Sequence, residues 1–191
     1  MRSLDFEEFL WTCGYRDEQI SGLLDPILAH RPFGEAAKGA MDRRFVDYCV
    51  LGGMPEVLET YFVKGTFERI PVVQRRILDD YRDDVRKYAE GLDPVRIQVV
   101  FDSIPRQLAK ENSTLEMDFF LRSQDRLVPI EVKGENGRAQ SLRTLIRSDT
   151  AHGITWGIKL INGNVGFEDS VLTLPQWCAF LLPKVAEEFP G

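Results

Sequence analysis

The run LEMDFFLRSQDRLVPIEVKG, residues 115–134, restricts the fold more than any other stretch of this chain. Two strand-like segments, 115–121 and 127–133, flank the polar RSQDR, which has the composition of a hairpin turn. A two-residue tip at Gln124 and Asp125 and a four-residue loop over 123–126 give the same register. In that register Asp118 lies opposite Glu131 and Glu116 opposite Lys133. Phe119 then faces Ile130, Met117 faces Val132 and Leu121 faces Val128. One face of the hairpin is expected to be packed and the other to carry the ionisable groups.

Carboxylates held opposite each other repel, and compensation comes from a proton, a basic neighbour or a divalent cation. Oxygen ligands of this kind suit magnesium or manganese, and a nearby lysine can orient an attacking water or stabilise charge developing on a phosphate. The candidate catalytic residues are therefore Asp118, Glu131 and Lys133. Asp118 and Glu131 form the candidate metal pair, Mg2+ is the candidate cofactor, and metal-assisted phosphodiester hydrolysis is the matching chemistry. A hairpin with a solvated charged face explains the same residues without any site. Arg138, Arg143 and Arg147 follow the hairpin and are candidate nucleic-acid contacts. Arg143 and Arg147, four apart, equally suit the C-terminal end of a helix dipole.

Upstream of the hairpin the chain reads as helices. Ser3 precedes Leu4, Phe6, Phe9 and Leu10 at helical spacing, with Glu7 and Glu8 in the first turn. Residues 12–34 carry weaker signals and include DPILAHRPFG, which reads as loop and a short helix. A helix is expected over 35–51, stopped by Gly52 and Gly53, and another from Pro55 to a stop at Gly65. The clearest helix covers 71–89, where Val73, Ile77, Tyr81, Val85 and Tyr88 define a buried stripe. Its other face carries Asp79, Asp80, Asp83 and Asp84 among basic residues, with Asp83 and Lys87 at i, i+4. Those aspartates read as a salt-laced surface rather than a metal loop, since no glycine turn accompanies them. Asp93 and Pro94 look like the cap and first turn of one more helix.

Beyond the hairpin, a short helix is expected over 139–147, strands over 154–161 and 165–174, and a last helix opened by Pro175 and interrupted by Pro183. The expected fold class is α+β, with the texture changing near 111–114. With 43% hydrophobic residues the chain can build a core. A net charge of −6 argues against general attraction to nucleic acid or anionic membranes, leaving only local basic patches. Cys13, Cys49 and Cys178 have no metal-ligand or disulfide spacing, and neither His30 nor His152 adjoins them. No secretory or membrane-spanning segment is recognisable, so the cytoplasm is the expected compartment.

The spacing of Asp118, Glu131 and Lys133 resembles the D…E-x-K motif of the PD-(D/E)-x-K, or restriction-endonuclease-like, superfamily, and matches it residue by residue. Five blocks, SLDFEEFLWTCGY, YCVLGGMPEVLETYF, IPVVQRRILDDYRDDVRKYA, VFDSIPRQLAKEN and EMDFFL with VPIEVKG, resemble a prokaryotic family of AAA-type ATPases that end in a domain of unknown function. That resemblance implies a helical lid and winged-helix-like region over 1–112 and a partial nuclease-like domain over 113–191. Two departures accompany it. The chain has no Gly-Lys dipeptide, so it holds no Walker A sequence and no ATP site of the family's kind. Only Ser113 and Thr114 separate the LAKEN block from the hairpin, which implies an internal deletion near 112–115.

On this comparison the chain reads as a remnant lacking the P-loop core. The apolar face of the hairpin must then be covered by residues 139–147, by the C-terminal helix or by the N-terminal helices. Three functions stay open at this point. The first is a non-catalytic module that contacts DNA or a protein partner, the second a Mg2+-dependent nuclease, and the third no retained function.

Overall fold

The computed structural model describes residues 2–88, 93, 95, 97, 99–103, 117–123, 126–134, 137, 139–148 and 153–189. Helices lead and a mixed sheet follows, so the chain is α+β. Contacts divide it into two compact units: residues 1–3 with 51–114, and 4–50 with 115–191. A single cut near 112 differs from this grouping. The reason is long-range packing of the N-terminal helices on the sheet, which local periodicity does not encode.

In the larger unit the first helices are α1 (Phe6–Thr12), α2 (Asp17–Ser21), α3 (Leu24–Leu28) and α4 (Glu35–Leu51), the last residue of α4 belonging to the smaller unit. Asp5 caps α1, accepting from the Glu8 N–H at 2.9 Å while the Glu8 carboxylate accepts from the Asp5 N–H at 3.0 Å. This reciprocal arrangement satisfies two otherwise orphaned donors. The short helix expected within DPILAHRPFG is α3, and α2 adds a second one where the sequence signals were weak. The sheet runs β1-β2-β3-β5-β4, from β1 (Phe119–Ser123), β2 (Arg126–Val132), β3 (Gly157–Ile161), β4 (Gly166–Glu168) and β5 (Val171–Pro175). The β1–β2 pair is antiparallel with Phe119 opposite Ile130 and Leu121 opposite Val128, the register expected from the sequence.

Strands β2, β3 and β5 are parallel neighbours, and the crossover from β2 to β3 carries α7 (Gln140–Ile146). Parallel strands covered on both faces read as nearly continuous apolar runs, and every residue of β3 is buried. On one face α7 approaches so closely that a Cβ on Gly157 would lie 2.5 Å from Leu142 Cδ1 and 3.1 Å from Pro129 Cγ. Leu142 is fully buried there with Ala139 and Val171. Gly157→Ala is therefore expected to lose about 1–3 kcal/mol through overpacking. Chemical denaturation of the two proteins checks this.

The expected strand over 165–174 is two strands, because Asp169 and Ser170 both adopt positive φ (52° and 61°) and turn the chain back. Consecutive positive φ values make the tight hairpin turn whose twist matches its strands, here without the usual glycine. Pro175 both ends β5 and caps the helical turn that follows, as expected of a residue opening a helix. A 3-10 segment (Gln176–Leu181) and α8 (Leu182–Glu188) follow, with Pro183 in the first turn of α8.

Polar and aromatic contacts tie residues 4–50 to this C-terminal part. Asn164 accepts from the Phe33 N–H at 2.8 Å and donates to the Phe33 carbonyl at 3.0 Å. The Trp177 indole, 2% exposed, donates to Asp42 Oδ1 at 3.0 Å and packs against Phe33. Phe6 meets Phe180 edge-on at 5.6 Å, and α8 packs against both α3 and β1. Cover for the hairpin thus comes from α7 and α8 together. It is incomplete, since Phe119 is 62% and Phe120 49% exposed, although a packed face was expected at Phe119. As the outer strand, β1 has a covering neighbour in the sheet on one side only.

The smaller unit contains α5 (Pro55–Lys64) and α6 (Ile70–Tyr88), with helical backbone again at Val95, Ile97 and 99–103. Pro55 stands in the first turn of α5 and Gly65 caps it at φ 65°. Among its described residues Leu51, Val57, Leu58 and Ile70 are the buried apolar ones. The stripe expected on α6 is half-buried at Val73 and Ile77 and exposed at Tyr81. Asp93 caps as expected, accepting from the Val95 N–H at 3.0 Å. The aspartates of α6 form a charged surface in which Arg82 bonds Asp79 and Asp102, and Lys87 lies 3.7 Å from Asp84.

Candidate functional site

The hairpin brings Asp118, Glu131 and Lys133 to the outer part of the sheet, where β1 starts and β2 ends. Asp118 precedes the β1–β2 ladder instead of pairing within it. Its exposed carboxylate reaches across and accepts the Val132 N–H at 2.7 Å through Oδ2. Glu131, expected on a solvated face, is 2% exposed. By strand alternation it shares a face with Pro129 and, across the β2–β3 register, with Gly157 and Lys159, and this is the face on which α7 packs.

Lys133 Nζ lies 2.9 Å from Glu131 Oε1. This hydrogen bond, with the charges of Glu131 and Asp118, raises the Lys133 pKa against the opposing effect of burial. Glu131 Oε2 is buried and accepts no hydrogen bond from any described residue. The register predicted contact between Glu116 and Lys133, but Glu116 lies outside the described residues.

A residue not singled out in the sequence completes the cluster. Lys159 stands beside Glu131 in the β2–β3 register and is 9% exposed. Its Nζ donates to the Gly137 carbonyl at 3.5 Å. Burial, with Arg143 adding to it, lowers the Lys159 pKa, while Glu131 and Glu168 pull the other way. The sequence signal was a lone lysine inside the otherwise apolar GIKLI.

Arg143 and Arg147 share a face as expected, but both turn toward the β4–β5 hairpin. Arg143 lies 3.6 Å from Asp169 and 3.7 Å from Glu168, and Arg147 lies 3.9 Å from Asp169. These acids offset the cations that were expected to meet phosphate. Arg138 lies outside the described residues.

The two lysines imply opposite pH dependences above neutrality. Lys133, with its folded-state pKa raised, contributes stability below the unfolded value near 10.5, and that contribution is lost as pH rises through the folded value. Lys159, with its folded-state pKa lowered, carries a penalty while protonated, which is relieved as pH climbs from its folded value towards 10.5. Urea midpoints measured against pH should therefore lose the alkaline rise in Lys159→Met and the later fall in Lys133→Met.

Fold and hairpin define an α+β protein whose mixed sheet carries a D…E-x-K arrangement with a second, buried lysine. A family model described as a domain of unknown function (DUF8612) matches residues 42–119, from the middle of α4 to the start of β1. That segment ends before Glu131, Lys133 and Lys159. No curated protein matches the chain, and no solved structure does.

For a magnesium ion the donor set is a poor fit. Among the described residues no three of His, Cys, Asp and Glu are grouped to hold a metal. Of the two candidate ligands, Glu131 gives one oxygen to Lys133 and Asp118 gives one to a backbone N–H. Asp118, Glu131, Lys133 and Lys159 together carry no net charge. Among the described residues no helix is long and apolar enough to cross a membrane.

Proposed function

We propose that this chain is a non-catalytic module of the AAA-type ATPase lineage it resembles, a remnant whose helical part and nuclease-like sheet bind a protein partner. One observation carries the reading: each of the three motif groups is engaged inside the protein, Lys133 with Glu131 Oε1 at 2.9 Å and Asp118 with the Val132 N–H at 2.7 Å. A lysine committed to a buried carboxylate is not positioned to stabilise charge on a phosphate. A protein partner is favoured over DNA by the net charge of −6 and by the acids facing Arg143 and Arg147. Phe119 and Phe120, exposed on the outer strand, supply apolar contact area of the kind protein interfaces use.

Titration of a labelled DNA duplex at low and at physiological salt tests this choice. Weak binding that disappears at physiological salt agrees with a protein partner. Tight binding with a steep linear dependence of log affinity on log salt would favour DNA instead.

A Mg2+-dependent nuclease is the second reading. It is favoured by Glu131 Oε2, a buried carboxylate oxygen without a hydrogen-bond donor among the described residues. The cytoplasm is the compartment we assign on either reading.

A further inference from the structure

We propose that Lys159 takes the part of a cation at this hairpin, so that Glu131 is neutralised by the protein itself and the site excludes a divalent metal. The inference rests on the non-catalytic reading above and extends it to a specific residue. Its basis is the β2–β3 register, which sets Lys159 directly beside Glu131 in the sheet interior, both buried.

A carboxylate buried there needs compensating charge, and a bare ion pair is costly to desolvate unless its remaining groups are satisfied. Lys133 approaches Glu131 from the exposed end of β2 and takes Oε1. Lys159 lies on the next strand, its ammonium anchored on the Gly137 carbonyl at 3.5 Å. Glu131 thus has one ammonium on Oε1 and a second on the neighbouring strand. A divalent ion approaching Glu131 would meet the like charge of Lys133 on Oε1 and of Lys159 on the adjacent strand, in surroundings where water screens poorly. Magnesium also dehydrates reluctantly and demands near-octahedral oxygen geometry. Glu131 Oε2, without a donor among the described residues, is on this proposal balanced by neighbouring charge and not left for a metal.

Mn2+ serves as the probe, with free Mn2+ followed by electron paramagnetic resonance during titration of the full chain. Wild type is expected to show no saturable binding up to roughly 1 mM, the weak end of protein affinities for hard cations. Lys159→Met, which keeps length but removes the charge, should bind at least about tenfold more tightly, and adding Glu131→Gln should abolish that gain. Saturable wild-type binding lost in Glu131→Gln overturns the proposal, as does a folded Lys159→Met that gains nothing. If Lys159→Met fails to fold by circular dichroism, wild type against Glu131→Gln decides: Glu131-dependent binding overturns the proposal and its absence supports it. Neither DNA nor a partner protein enters this readout, so its failure is distinct from steep salt-dependent binding to DNA.

Discussion

Trp177→Ala is expected to lower the stability of the larger unit by about 3–5 kcal/mol, the usual cost of emptying a large aromatic site. Trp177 is 2% exposed, and its indole N–H bonds Asp42 on α4 while its ring meets Phe33. Truncation opens a cavity and also strips a part-buried carboxylate of one donor, although Lys38 remains 2.6 Å from Asp42. Because the tryptophan joins residues 4–50 to the sheet, hydrogen exchange should accelerate together in α1, in α4 up to Val50 and in β3. Loss of protection confined to the C-terminal strands would show that the N-terminal helices do not share the unit. A wild-type chain with no cooperative melting transition would favour the reading in which no function is retained.

The second large effect is expected at Glu131. Glu131→Ala should destabilise by on the order of 3 kcal/mol, because it leaves the buried Lys159 without its neighbouring negative charge and frees Lys133. Lys133, 42% exposed on its side chain, can turn to water, whereas Lys159 cannot without disturbing β3. A double-mutant cycle of Glu131→Ala with Lys159→Met separates the two contributions. Strong coupling is expected, with the double variant more stable than the two single losses would add up to. Additive losses would mean that the buried pair is coincidental.

Much of the local structure was legible because its signals are local. Helix α4 ends at Leu51 before two glycines, α5 begins at Pro55, and the hairpin register follows from alternation around a short polar turn. The unit boundaries were not legible, since the contacts that set them, Asn164 with Phe33 and Trp177 with Asp42, join residues more than 130 positions apart. The turn at Asp169 and Ser170 was missed because no glycine or Asn-Gly pair marks its positive φ values.

At the candidate site, the placement of Asp118, Glu131 and Lys133 near one another could be read from spacing, but their environment could not. Whether a strand carboxylate faces water or a covering helix depends on tertiary packing, and the β2–β3 crossover lays α7 on the face that carries Glu131. The placement of β3 beside β2 gives Lys159 its meaning. Alone in the sequence it is one lysine in an apolar strand, and only the β2–β3 register makes it the neighbour of Glu131.

The most direct measurement is cleavage of supercoiled and single-stranded DNA by wild type and Lys133→Ala, with Mg2+ or Mn2+ supplied. With Lys133 bonded to Glu131 and Asp118 to the Val132 N–H, both proteins should leave the DNA intact over long incubation. Metal-dependent cleavage by wild type that disappears in Lys133→Ala would contradict the account and make the hairpin a working nuclease centre.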